Sequence, residues 1–217
     1  MQIDIYSDVV CPWCFIGKRR LERALETAGY ANRARAIWRP FELNPTMPKA
    51  GMERRTYLQA KFGGAQALRG MEDRLAKAGE ADGIEFAFDR IARTPNTFDA
   101  HRLIWFAGQQ NCQDEVVEAL FHSYFTKGRE IGILSSLAEI ASDCGLDREE
   151  VGRFLASDGA VQGVRAEEAT GHRLGIRGVP YFVLNDSVAI SGAQPPEVFV
   201  SALQQAEIAV MKSKEET

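Results

Sequence analysis

The chain has few of the residues that most often bind metals, with four cysteines and three histidines among 217 residues. His101, His122 and His172 are far apart, and Cys112 and Cys144 each stand alone. A zinc site needs about four ligands, usually paired at short spacings. The sequence therefore argues against zinc, and we expect no bound metal.

The sequence also has no apolar run near the ~20 residues that a membrane-spanning helix requires. Strand-like sequence begins at Gln2 without a basic and apolar leader, so we expect no signal peptide and a cytoplasmic location. The net charge is only −4, with 26 Lys and Arg against 30 Asp and Glu. This balance argues against nucleic acid and membranes as partners. The basic cluster Lys18–Arg20 is expected on a solvated helix face.

Two of the cysteines form the motif Cys11-Pro12-Trp13-Cys14, directly after an apolar strand pattern. Residues i and i+3 of a helix share one face, so the two sulfurs can close a small ring. The free amides and partial positive charge at a helix N-terminus favour a thiolate over a thiol. Pro12 suits the first helical turn. The motif predicts a redox dithiol, with Cys11 as the nucleophile and Cys14 as the more buried resolving thiol.

A purely structural Cys11–Cys14 disulfide is a weaker interpretation of this motif. So short a loop removes little chain entropy from the unfolded state and stabilises weakly. In a chain expected in a reducing compartment, catalytic or transient disulfides are more typical.

Strand patterns occur only near the two ends of the chain. The predicted strands are Gln2–Tyr6, Ala34–Leu43, Tyr181–Leu184 and Val188–Ile190, with Ile84–Phe88 as one further extended segment. The predicted helices are Cys11–Ala28, Arg55–Phe62, Ala65–Ala78, Phe98–Gln110, Cys112–Lys127, Leu134–Cys144, Arg148–Ala156, Ala160–Leu174 and Glu197–Met211.

Removal of the central helical block leaves the order β-α-β-α-β-β-α, which is the thioredoxin plan. We therefore predict an α/β protein, a thioredoxin fold interrupted by a large all-helical insertion. Residues 1–48 and 160–217 would form a discontinuous thioredoxin-like domain. Residues 49–159 would form the insertion, which follows a stretch rich in proline and glycine at Asn44–Gly51.

Pro180 opens a predicted strand directly after Gly178-Val179. Proline removes a backbone donor and weakens a central strand, and it is the usual residue of a cis peptide bond in a tight turn. Most X–Pro bonds in folded proteins are trans, so the simplest expectation is a trans proline at a strand start. The position of Pro180, before the strand expected beside the dithiol strand, favours cis.

Three segments resemble DsbA-like thioredoxin-fold proteins, most closely the FrnE branch. They are SDVVCPWCFIG at 7–17, RTPNTFDAHRL at 93–103 and GIRGVPYF at 175–182, with SGAQ at 191–194 near the end. The resemblance covers essentially the whole chain in order. It implies a helical insertion in a thioredoxin fold, a cis Val179–Pro180 bond facing the dithiol, and thiol–disulfide oxidoreductase or isomerase activity. The expected substrates are protein or small-molecule disulfides, without a tightly bound cofactor.

Two other classes of function stay open from the sequence. Kappa-class glutathione transferases and 2-hydroxychromene-2-carboxylate isomerases have a similar layout, and they use a serine in place of Cys11 to activate glutathione. The presence of both cysteines favours disulfide exchange, with glutathione as an optional co-substrate. The third class is a redox-inert chaperone or adaptor that holds unfolded chains over Pro180.

The catalytic candidates are Cys11, Cys14 and Pro180, and several neighbours are expected to bind substrate. Val179 would offer main-chain groups to an extended substrate strand. Pro12 lies between the cysteines, and Trp13 would form an apolar lip or simply pack half-exposed.

Three further candidates come from the segments of resemblance. Asn96 has a sufficient role as a helix N-cap. His101 either faces the dithiol from the insertion or is a hydrogen-bonded core histidine. Gln194 belongs to the last segment of the resemblance. Asp8 is a turn residue or a proton acceptor, with the turn favoured. Cys112 and Cys144 are expected to be buried, inert thiols.

Overall fold

The computed structural model describes residues 1–215, with side chains described to residue 212. Residues 216–217, at the end of the predicted thioredoxin-like domain, lie outside the described residues. In chain order the elements are β1 (Gln2–Ser7), α1 (Pro12–Thr27), β2 (Arg35–Pro40), β3 (Met52–Glu53), α2 (Arg54–Phe62), α3 (Ala65–Ala81), a 3-10 turn (Phe88–Arg90), β4 (Arg93–Thr94), α4 (Phe98–Gln109), α5 (Gln113–Phe125), α6 (Leu134–Asp143), α7 (Arg148–Ala156), α8 (Val161–Arg173), β5 (Tyr181–Leu184), β6 (Val188–Ser191) and α9 (Pro196–Glu215).

Strands from the two ends of the chain form one four-stranded sheet in the order β2-β1-β5-β6. β1 pairs parallel with β2 and antiparallel with β5, which places Ile5 between Trp38 and Phe182. Pro40 ends the edge strand β2, where its missing N–H removes no central hydrogen bond. The predicted α/β fold, a thioredoxin fold interrupted by a helical insertion, is confirmed. No helix of the described residues is long and apolar enough to cross a membrane.

The insertion is helical apart from one short strand pair that the sequence patterns did not predict. Met52–Glu53 pairs antiparallel with Arg93–Thr94, and two residues a strand are too few for a periodic pattern. The extended segment expected at Ile84–Phe88 is wrong. This stretch contains no strand and leads into the 3-10 turn. Its partly buried aromatic rings pack against the insertion instead, and Phe86 contacts Phe125 at 5.4 Å between ring centroids.

Aromatic stacking joins the insertion to the sheet domain. Phe15 of α1 stacks on Phe121 of α5 with ring centroids 5.2 Å apart, and it lies 6.3 Å from Phe125. On the other side of α1, Phe182 of β5 meets Phe199 of α9 edge-on at 4.8 Å. One buried core thus runs across both predicted domains. The domain limits at residues 48/49 and 159/160 stay predictions.

The solvated face expected for Lys18–Arg20 is wrong, because this cluster lies in the interface between α1 and its neighbours. The Lys18 side chain is only 4% exposed and pairs with Glu22, with Asp114 at 3.0 Å and with Glu118 at 3.2 Å. Charges this deep in a protein need such partners, because burial costs them their hydration.

Gly17 allows α1 to approach the strand that follows Pro180. A Cβ at this position would lie 3.1 Å from both the Phe182 ring and the Pro180 ring, which are buried. We expect Gly17→Ala to lower the free energy of unfolding by about 1–2 kcal/mol in urea titrations, as overpacking does. Gly152→Ala, in a helix with nothing within 4 Å of the new methyl group, should instead stabilise by about 0.5–1 kcal/mol. Equal effects of the two changes would contradict this close packing.

Candidate active site

The dithiol lies where β1 passes into α1. The Cys11 N–H donates to the Asp8 carbonyl at 3.0 Å, which closes the turn, and α1 begins at Pro12 with Cys11 as its N-cap. Both cysteines are free thiols, and both are buried: Cys11 is 5% and Cys14 1% exposed. The sequence prediction that Cys14 is the more buried thiol is confirmed.

The segment before β5 faces the dithiol. The Val179–Pro180 bond is cis, as predicted. The Cys11 thiol donates to the Val179 carbonyl oxygen at 3.5 Å, across 168 residues of sequence. Pro180 is buried against Gly17 of α1. The pairing of β5 with β1 therefore brings the three catalytic candidates, Cys11, Cys14 and Pro180, to one place.

The environment of Cys14 differs from that of an exposed thiol. Burial raises the pKa of Cys14 well above its usual value, and the Cys11 sulfur raises it further. Hydrogen bonds from the Ser7 hydroxyl and the Asp8 backbone amide act in the opposite direction but are weaker. Cys14 is therefore a thiol that needs a proton acceptor before it can act as a nucleophile.

Asp8 and His101 form a buried pair behind the dithiol. They are 1% and 3% exposed, and Asp8 Oδ1 lies 3.5 Å from His101 Nε2. Neither of these two atoms has a hydrogen-bond partner of good geometry. The other carboxylate oxygen of Asp8 accepts the Leu43 N–H at 2.7 Å. Asp8 therefore holds the loop after β2 with its side chain and closes the turn before α1 with its backbone carbonyl. His101 faces the dithiol turn from α4 of the insertion.

A second buried carboxylate, Glu42, lies within electrostatic reach of His101. One oxygen of Glu42 accepts from Arg165 at 2.7 Å, and the other is buried without a partner. Burial and the neighbouring Glu168 raise the pKa of Glu42 to about 7, against the opposing charges of His101 and Arg165. Sequence reasoning missed Glu42, since no local motif marks a single glutamate after a strand.

A cavity of about 340 Å³ opens beside Cys11 and extends between α1 and the insertion. Pro12, Trp13 and Val179 contribute to its wall, together with Asp8. Trp13 is 40% exposed, so it lies at an edge of this space, as the apolar lip predicted from the sequence would.

The other predicted substrate-binding residues lie elsewhere. The N-cap of α4 is Thr97 and not Asn96 as expected. The Asn96 side chain accepts the Phe98 N–H at 3.1 Å and donates to the Met47 carbonyl at 2.9 Å, so it holds the first amide of α4 and fastens the loop before β3. Gln194 is exposed and donates to the Ser191 carbonyl at 2.9 Å. Neither residue lines the cavity beside Cys11.

Cys112 and Cys144 are outside the site, but they are only partly buried, which corrects the expectation of full burial. Cys112 is the N-cap of α5 and Cys144 the C-cap of α6, and helix ends leave side chains closer to solvent than helix centres do. Burial still raises the pKa of both thiols. Among the residues that the structure describes, no group of three or more His, Cys, Asp or Glu is arranged to hold a metal ion.

Comparison with known proteins agrees with this geometry. A family model described as "DSBA-like thioredoxin domain" matches residues 2–204, and the chain belongs to this DsbA-like oxidoreductase family. The crystal structure of a probable DsbA oxidoreductase from Streptomyces coelicolor is similar, with 37% identity and a TM-score of 0.87 over 95% of this chain and 89% of that one. The resemblance inferred from the sequence is confirmed.

Two more distant structures share the fold. A 2-hydroxychromene-2-carboxylate isomerase has a TM-score of 0.71 at 16% identity, over 100% of this chain and 98% of its own. The cytosolic disulfide reductase DsbM from Pseudomonas aeruginosa, solved with GSH, has a TM-score of 0.62 at 15% identity over 100% of both chains. At these identities the likeness concerns the fold alone.

Glu42 should make stability depend on pH. Unfolded, its carboxyl group ionises near 4.5, whereas the folded protein holds the proton to about 7, so the wild type should lose stability as pH rises between these values. Glu42→Gln lacks this loss and should gain about 1–2 kcal/mol relative to the wild type over the interval. Urea unfolding at several pH values measures it, with the exposed Glu85→Gln as the control. Parallel stability curves for Glu42→Gln and the wild type would contradict the raised pKa.

Proposed function

We propose that this protein is a thiol–disulfide oxidoreductase that acts on protein or small-molecule disulfides through Cys11 and Cys14. The observation that carries the proposal is the position of the Cys11 thiol, at the N-terminus of α1, against the Val179 carbonyl and open to a cavity. A thiol held in this way lies beside the Val179 main chain and beside space for a substrate.

The reaction follows from the two sulfurs. The Cys11 thiolate attacks one sulfur of a substrate disulfide, forms a mixed disulfide and releases the other sulfur as a thiolate that takes up a proton. Cys14 then loses its proton and attacks Cys11, which releases the second substrate thiol. The substrate disulfide is reduced by two electrons, and the protein is oxidised to the Cys11–Cys14 disulfide. The reverse sequence oxidises a dithiol substrate.

The Val179 carbonyl has two partners in this cycle. It accepts from the Cys11 thiol in the reduced protein. Once Cys11 is a thiolate or a disulfide it has no proton to donate, and the carbonyl is free to accept an N–H of an extended substrate.

We propose that the buried Asp8–His101 pair accepts the proton that Cys14 loses in the second step. The Asp8 amide contacts the Cys14 sulfur, and the Asp8 carboxylate faces His101 at 3.5 Å. Asp8 Oδ1 and His101 Nε2 are both buried without a hydrogen-bond partner of good geometry, and they are the acceptor atoms that we propose.

Glutathione is our proposed recycling thiol, and the cytoplasm our proposed location. The support is that DsbM, a protein of the same fold, is a cytosolic disulfide reductase solved with GSH. A glutathione-dependent isomerase of the 2-hydroxychromene-2-carboxylate type is the second candidate, since that enzyme shares the fold. The presence of both Cys11 and Cys14 favours disulfide exchange over that reaction.

Substitution of each cysteine should separate the two steps. Cys11→Ser should abolish insulin reduction in the presence of dithiothreitol, because no thiolate is left to attack. Cys14→Ser should accumulate mixed disulfides that mass spectrometry detects on Cys11, because nothing resolves them. Cys112→Ser, outside the site, is the control and should retain wild-type turnover. Full insulin reduction in Cys11→Ser would exclude Cys11 as the nucleophile, whereas wild-type protein that does not accelerate insulin reduction would be a redox-inert adaptor.

Asp8→Asn should slow the resolving step while preserving the fold, because Asn retains an oxygen for the Leu43 N–H. Loss of the proton acceptor is expected to reduce release of the second thiol about 10–100-fold in single-turnover experiments at neutral pH. The first step, measured in the Cys14→Ser background, should change less than about twofold if Asp8 acts on Cys14 alone. The exposed Asp73→Asn is the matched control. An equal loss in both steps would indicate a general disturbance of the site.

A further inference from the structure

The cavity beside Cys11 continues away from the dithiol into the helical insertion. Its inner wall is apolar and comes from α2, α3, α5 and the 3-10 turn: Leu58, Met71, Leu75, Phe88 and Phe125 line it. A volume of about 340 Å³ lies in the range of about 300–1,000 Å³ that small-molecule sites occupy. Disulfide exchange at Cys11 does not by itself require this space.

Large apolar side chains surround the same space where it meets solvent. Trp13, Leu43 and Phe62 are 40%, 37% and 41% exposed, and all three line the cavity. They come from α1, the loop after β2 and α2, and they line the same cavity as the inner apolar residues. Contiguous apolar surface of this kind marks a binding site on a soluble protein.

The cavity wall contains three charged side chains, those of Asp8, Arg54 and Lys61. Asp8 is buried at the dithiol end. Arg54 is neutralised by Glu72 at 2.7 Å. Lys61 is exposed, its Nζ contacts the Tyr57 hydroxyl at 3.4 Å, and it makes no ion pair with any described residue. The charges therefore favour a neutral or anionic group over a cationic one.

Hydroxyl groups of the wall contact other residues of the protein. The Thr94 hydroxyl contacts the Tyr124 hydroxyl, which itself donates to the Arg93 carbonyl at 3.1 Å. The Tyr57 hydroxyl accepts from Asn44 at 3.3 Å and from Lys61 at 3.4 Å. The wall therefore suits an apolar group.

We propose that this cavity binds the apolar, ring-bearing half of a low-molecular-weight disulfide while Cys11 attacks the adjacent sulfur. This inference rests on the proposed function and names the substrate class of the same site. A disulfide in a protein is flanked by main chain on both sides of each cysteine. The space beside Cys11 is instead partly enclosed between helices, as a single side group requires.

The reaction remains the exchange described above. Cys11 forms a mixed disulfide with the ring-bearing sulfur, the other half leaves as a thiol, and Cys14 releases the ring-bearing thiol. The reduced protein supplies the two electrons, so a single turnover needs no further reductant.

Two diacylated cystamines separate recognition from chemistry, because their disulfide and leaving thiols are nearly the same, and a peptide disulfide adds the comparison with a protein-like substrate. The probes are bis(N-acetyl)cystamine, bis(N-naphthoyl)cystamine and a disulfide-linked dimer of acetyl-Gly-Cys-Gly-amide. With reduced wild-type protein we expect the naphthoyl probe to react at least about tenfold faster than the other two, equivalent to about 1.4 kcal/mol of binding. Equal rates, or a faster peptide dimer, would overturn the proposal.

Two variants fill the cavity away from the sulfurs. Leu58→Trp on α2 and Met71→Trp on α3 should each reduce the ratio of the naphthoyl rate to the acetyl rate to below about twofold. Ala60→Trp is the matched control, because Ala60 is exposed on the same helix and does not line the cavity. Circular dichroism verifies folding, and the second variant replaces the first if one does not fold. Retention of the naphthoyl advantage in a folded variant would overturn the proposal.

A thioether probe tests binding without any redox step. S-methyl-N-naphthoylcysteamine has no exchangeable sulfur, and calorimetry should detect its binding to wild type and to Cys11→Ser but not to Leu58→Trp. If the acetyl disulfide reacts and the thioether does not bind, the substrate class is wrong and the oxidoreductase stands. If the thioether binds and no disulfide reacts, the cavity is a ligand site and the oxidoreductase fails.

Discussion

The antiparallel pairing of β1 with β5 is the constraint on which the site depends. Only four residue pairs form it, from Ile3–Leu184 to Tyr6–Tyr181. Cys11 follows one strand and Val179 precedes the other, so this register alone sets the distance between the thiol and the carbonyl. If either strand slipped by one residue, its buried side chain, Ile5 or Phe182, would turn to the opposite face of the sheet. The packing of these two side chains therefore fixes the register.

The aromatic rings between α1 and the insertion fix the position of the dithiol helix relative to the cavity wall. Phe15 is one residue after Cys14 and stacks on the ring of Phe121. Phe125, one helical turn later, belongs both to this stack and to the cavity wall. The helix that carries the dithiol and the helices that surround the substrate space are thus parts of one packed unit, because protein interiors tolerate little independent movement of such rings.

Local patterns in the sequence were sufficient for the four strands of the main sheet, for the helices and for the position of the dithiol, since each depends on residues within a few positions. The cis Val179–Pro180 bond was instead favoured by its expected place beside the dithiol strand and by the family resemblance. The Asp8–His101 pair, the raised pKa of Glu42 and the burial of Lys18 depend on contacts between elements far apart in sequence. No periodicity encodes such contacts. The wrong prediction of a strand at Ile84–Phe88 has the same cause. Alternating apolar residues are typical of a strand, and only the distant ring of Phe125 shows that this stretch packs as a loop.

The distribution of the sheet along the chain has a consequence for biosynthesis. A ribosome delivers β1, the dithiol and β2 first, and β5 only after some hundred and forty further residues of the chain. Until then β1 has one free edge, and free edges of strands promote association with other chains. Contacts of this sequence separation also form slowly, since the loop they close is long. A nascent chain therefore presents a reactive pair of thiols beside an unpaired strand for most of its synthesis, and depends on the helices of the insertion, which emerge in between, to cover α1.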